Sequence, residues 1–138
     1  MGQPVLEAVS QRLAELAKSL GFQPLGSGGE RHGSWELTFH KRSSVEGELN
    51  RYVSVAVTDI NDGFAIEARA GADDGGRFTR RVVSRWEVSS RSLPSTVLAA
   101  RVEEMLECAV EVSNHLGPSD LVEAYLPSRT SRRSNLDR

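Results

Sequence analysis

A chain of 138 residues and 15.1 kDa has the size of one domain, and its 38% hydrophobic and 26% charged content is too apolar for wholesale disorder. A core at this length buries roughly two-thirds of the unfolded surface, so no disulfide framework or structural metal is required. The 17 basic and 19 acidic residues leave a net charge of −2, which excludes global attraction to nucleic acid or acidic membranes as the default.

Cys108 is the only cysteine, which excludes a disulfide framework, a zinc ribbon and a CxxC redox pair. A lone thiol in an apolar helical stretch reads as a small buried hydrophobe. No apolar run approaches the ~18–20 residues that span a bilayer. The opening Met1-Gly2-Gln3-Pro4 leads directly into an amphipathic pattern with Glu7, Arg12 and Glu15, unlike a signal peptide. Leu6 stands where myristoylation wants Ser or Thr. The expected compartment is the cytoplasm.

In chain order, Pro4 suits a first helical turn. Val5, Leu6, Val9, Leu13, Leu16, Ala17 and Leu20 then recur at three- and four-residue steps, which predicts a helix over 4–20. Gly21-Phe22 fits its C-terminal cap. Residues 22–25 suit a short edge strand, because proline tolerates little else in a sheet. Gly26-Ser27-Gly28-Gly29 reads as a flexible loop.

Trp35, Leu37 and Phe39 alternate with polar residues, as do Val53, Val55 and Val57, the pattern of half-buried strands. A turn at Asn61-Asp62-Gly63 precedes a third alternation through Phe64, Ile66, Ala68 and Ala70. A two-residue loop there sets the odd-numbered valines beside Ile66 and Ala68. A three-residue loop sets Val57 beside Glu67 and buries a charge, so the shorter loop is expected. After a second turn at Asp73–Gly76, Phe78, Val82, Trp86 and Val88 read as one continuous alternation in a long final strand.

The second helix opens at Pro94-Ser95 and closes at Gly117-Pro118. Leu98, Val102, Met105, Ala109 and Val112 continue to Leu116 in a heptad seam. Two readings fit that seam, a helix covering the sheet and a helix pairing with a second copy. Leu121, Val122, Tyr125 and Leu126 suggest one further helical turn before Pro127. The expected organisation is a single domain over 1–127 and a disordered basic tail over 128–138.

The fold class is α+β: a four-stranded, possibly five-stranded, antiparallel meander with the N-terminal and C-terminal helices packed on one face. In element order it is similar to small acidic secretion chaperones and compact adaptor domains, although the helix such chaperones carry between strands is missing.

Chemical motifs are weak. Asp59–Gly63 lacks the spacing of a calcium loop, and Ala70 stands where its bidentate Glu belongs. The glycine-rich loop runs into a strand, whereas a phosphate cradle wants a helix N-terminus. His32, His40 and His115 are scattered, with no pair at metal-ligand spacing. No cofactor or metal is implied. His40 with Glu36 or Glu67 is the one pairing that offers catalysis on the solvent face, and an enzyme is not the expected reading.

Arg77, Arg80, Arg81, Arg85 and Arg91 fall within fifteen residues holding one acid, Glu87. With Arg69 and an exposed Tyr52 they offer a surface for single-stranded nucleic acid. The plainer reading pairs these arginines with Glu36, Glu67 and Glu87 across strands. Basic final strand and acidic second helix together favour oriented association. The function expected first is therefore a non-enzymatic protein-binding module of adaptor, chaperone or inhibitor type, possibly a homodimer, with no membrane partner. Tyr52, Arg69, Arg81, Val83 and Arg85 are its candidate contact residues, with Ala56 and Ala65 as apolar filling. Nucleic-acid binding through overlapping residues is one alternative. The other is a small-molecule site between sheet and helices near Trp35 and Trp86.

Overall fold

The computed structural model describes residues 2–26, 29–31, 34–43, 45–89 and 95–123. Helix α1 spans Gly2–Ser19 and ends because Gly21 turns left-handed at φ 90°. The Phe22 N–H then donates to the Ala17 carbonyl at 2.8 Å, and the Phe22 ring is fully buried. Strands β1 (Gln23–Pro24) and β2 (Gly29–Arg31) are short and both pair with β3 (Ser34–Lys41). The meander continues through β4 (Asn50–Ile60), β5 (Gly63–Asp73) and β6 (Arg77–Ser89). Helix α2 (Ser95–His115) follows, then a 3-10 turn over Pro118–Asp120 and β7 (Val122–Glu123) against the start of β6.

The fold is α+β, an antiparallel sheet with one helix from each end of the chain packed on one face. The four long strands are the expected meander, and three short strands extend it. The expected helical turn after α2 is a 3-10 turn and a strand, because Val122 and Glu123 complete the ladder of Phe78 and Arg77. Tyr125, Leu126 and the basic stretch 128–138 lie outside the described residues, as do His32 and Arg91.

Register follows from the tight β4–β5 turn. Ile60 pairs with Gly63, so the loop is Asn61-Asp62, and Val57 faces Ile66 while Val55 faces Ala68. These valines with Ile66, Ala68 and Phe39 make the sheet's contribution to the core. From above, α1 adds Val9, Leu13 and Ala17, and α2 adds Leu98, Val102, Met105, Leu106 and Ala109. Val112 packs partly buried against the same cluster. The heptad seam is therefore the cover of the sheet, and the seam expected as a dimer candidate is spent inside the molecule. What α2 turns outward is mainly acidic, with Glu104, Glu107 and Glu111 exposed. Cys108, expected to be buried, is exposed among them because it lies off the apolar seam.

One departure reorganises β6. Ala68 pairs with Ser84 but Arg69 pairs with Val82, which leaves Val83 as the extra residue of a β-bulge. The strand alternation breaks there. Trp86 and Val88 face the helices, opposite Ile66 and Phe64, while Val82 and Phe78 face away. The expectation of one unbroken alternation through all four is corrected accordingly. At Gly71 a Cβ would lie 2.8 Å from the Thr79 carbonyl oxygen, so only glycine accepts the close approach of β6.

Basic residues on the helix side hold the C-terminal end of α2. Arg51 donates to the carbonyls of Ser113 and of Leu116, the latter at 2.9 Å. Lys41 donates to Asn114 Oδ1 at 2.8 Å, and buried Ser113 donates its hydroxyl to the Gly71 carbonyl at 2.8 Å. Cations at this end oppose the partial negative charge of the last carbonyls. Leu106→Ala, at a fully buried site, should cost about 3 kcal/mol. Arg51→Met should cost about 1–2 kcal/mol by leaving two carbonyls short of a donor. Urea unfolding of both variants checks the order; an Arg51 variant as stable as the parent would refute the capping role.

Candidate functional site

The face of the sheet turned away from the helices is the candidate site, and cross-strand rows define it. Glu36, Ala56, Glu67 and Arg85 form one row across β3 to β6. Thr38, Ser54, Arg69 and Val82 form the next, followed by His40, Tyr52, Gly71 and Arg80. Of the expected contact residues, Tyr52, Arg69 and Arg85 share this face. Arg81 and Val83 do not. The bulge sets Arg81 opposite buried Ala70 on the helix side, where it pairs with Asp120 at 3.4 Å. Val83 packs against the core.

Long charged side chains lie flat over the small ones. Arg69 holds Glu67 at 2.7 Å and Glu36 at 3.4 Å. Arg80 reaches Glu36 at 2.9 Å, and Arg85 bonds both Glu67 at 2.7 Å and Glu87 at 3.0 Å. The result is one chain of alternating sign: Arg80, Glu36, Arg69, Glu67, Arg85, Glu87. Ser54, Ala56 and Ala65 on the same face are buried, so the two alanines are not available as an apolar contact. The cross-strand pairing of these arginines with Glu36, Glu67 and Glu87 is thus the arrangement adopted.

The electrostatics follow from these contacts. Hydrogen bonds from Arg69 lower the Glu67 carboxyl below its usual range, and Arg85 adds to the effect against an opposing contribution from burial. Arg85 is raised by Glu87 first and Glu67 second. A carboxylate held this way is a weak proton acceptor, which argues against Glu67 as the base of an acid–base pair with His40. At one corner, burial pushes the Tyr52 hydroxyl up to about 12, with help from its hydrogen bond to Asp73. Asp73 also accepts from Asn50 Nδ2 at 3.1 Å. In the β5–β6 turn, the backbone N–H groups of Arg77 and Gly76 lower Asp74 to about 2.

Three large apolar side chains remain exposed beside the ion pairs: Phe78 at 41%, Val82 at 54% and Val122 at 61%. Phe78 and Val122 are direct cross-strand partners. Simple alternation in the sequence hides this patch. Its signal was the Val82-Val83 doublet, which breaks an otherwise alternating strand.

Trp35 and Trp86 end one row, Trp35–Val57–Ile66–Trp86, and both pack partly buried against the core. Arg101 of α2 stacks on the Trp86 ring, 5.5 Å from its centre. A separate cleft of about 250 Å³ lies between α1 and β3, lined by residues such as Ala14, Leu37 and Phe39 with Ser10, Gln11 and Thr38. No charged side chain among the described residues lines it. Among the described residues no group of three His, Cys, Asp or Glu is placed to hold a metal, and no helix is long and apolar enough to cross a membrane.

Because folding lowers the Glu67 carboxyl, its stabilisation is complete above the ordinary value of 4.5 and fades as pH falls through the folded value. Glu67→Gln should therefore cost about 1 kcal/mol at neutral pH, with the gap from the parent closing as the pH falls below 4.5. Urea midpoints across that range test this, and a constant gap would mean the side chain acts by packing alone. Comparison of the chain with protein families, with curated proteins and with solved structures finds no match.

Proposed function

We propose that the chain is a non-enzymatic protein-interaction module, of adaptor, chaperone or inhibitor type, that docks a partner protein on the outer face of β6. The observation that carries this reading is the exposed set along the outer face of β6, the cross-strand pair Phe78 and Val122 with Val82 beyond Arg80, beside a flat layer of ion pairs. An apolar centre with a charged, satisfied margin is the usual anatomy of a protein interface.

The nucleic-acid reading draws less support. Arg69, Arg80 and Arg85 each already hold a carboxylate, so a phosphate must displace an acid for every arginine it gains. Among the described residues no assembled acid–base pair supports an enzymatic reading.

The test uses the full chain, tagged and nuclease-treated, with Val82→Glu, Phe78→Ser and the control Ile60→Ser, a hairpin residue 37% exposed. A partner protein should be retained at high salt by the parent and the control. Its recovery should fall about tenfold with either β6 variant. Loss of recovery in the control as well, or a nucleic acid that salt strips from every variant equally, would overturn the proposal.

A further inference from the structure

The chain of ion pairs on the outer face has two loose ends of opposite sign. Its middle members are well covered, with the Glu36 and Glu67 side chains only 19% and 20% exposed. Its ends are not: Arg80 is 53% exposed and Glu87 is 60% exposed. Both ends lie on β6. That strand is also the sheet edge, because β7 covers only Arg77 and Phe78 and no other described strand pairs along Thr79–Ser89. A long open edge exposes a row of backbone donors and acceptors that another strand can complete.

The bulge makes this edge self-complementary. Around Val83 and Ser84 the faces of β6 mirror one another, with Val82 and Arg85 both outward, then Arg81 and Trp86 both inward, then Arg80 and Glu87 both outward. We propose that the β6 edges of two copies pair antiparallel about Val83 and Ser84, so that Arg80 of each copy meets Glu87 of the other. The two six-residue ion-pair chains then join end to end into one closed ring of alternating charge. Val82 lies against the stem of Arg85 from the second copy, next to the apolar strip. The same charges select the register, since a two-residue slip sets Arg80 against Arg85 of the other chain and opposes like charges. A two-fold pairing of this kind uses the same surface patch on both copies. The inference rests on the interaction-module reading and names its partner as a second copy of the chain.

Light scattering after chromatography, on the full chain at ~10–200 µM in low salt, reads the outcome. The expected parent mass is twice 15.1 kDa. Arg80→Glu and Glu87→Arg should each weaken the dimer about tenfold. The double variant Arg80→Glu with Glu87→Arg should restore it, because the exchanged charges again meet their opposites between copies. Within one copy, the double variant still sets a glutamate against Glu36 and an arginine against Arg85, so recovery isolates the contact between chains. Circular dichroism confirms that each variant is folded. A parent that stays monomeric, a dimer indifferent to Glu87→Arg, or a double variant no better than the single ones would overturn the pairing. A monomeric parent that still captures a partner protein in a Val82-dependent manner would leave the interaction-module reading standing while this one falls.

Discussion

The extra residue at Val83 decides more about this molecule than any other single position. In a strand, side chains alternate strictly, so one inserted residue exchanges the faces of everything beyond it. In β6 that exchange turns Arg81 toward the helices, where it meets Asp120, and turns Phe78, Arg80 and Val82 toward solvent. With an unbroken strand Arg80 would lie among the helix-facing residues, away from Glu36. The close approach at Gly71 belongs to the same irregular stretch.

The two faces of the sheet solve different problems with similar residues. On the helix side, Lys41, Arg51 and Arg81 sit past the apolar rows and hold the end of α2 and the turn that follows. On the outer side, Arg69, Arg80 and Arg85 are spent on carboxylates that belong to the sheet itself. The high arginine content of the fourth long strand is thereby divided between fixing a helix and plating a surface. Among the described residues, Arg69, Arg80, Arg81 and Arg85 are all engaged with carboxylates.

Most of the architecture was legible because its signals are periodic. Both helices, the two-residue β4–β5 loop and the facing of Val57 with Ile66 follow from spacing and from the penalty of burying Glu67. The site was legible only in part. Tyr52, Arg69 and Arg85 obey simple alternation and fall on the expected face, whereas Arg81 and Val83 lie at or beyond the bulge and fall on the other. A bulge is set by backbone pairing with β5, and a lone Val-Val doublet is a faint trace of it. The role of Arg51 was not legible at all, because its partners lie 62 and 65 residues away in sequence.

That same separation bears on the entropy cost of assembling the chain. The paired ends are separated by two residues in β4–β5, four in β5–β6 and nine in β3–β4, so the meander closes over short loops at a small entropy cost. The contacts between Arg51 and the end of α2 close a far longer loop and carry the larger entropy cost. That cap secures the helix which, with α1, shields the valine face of the sheet from water.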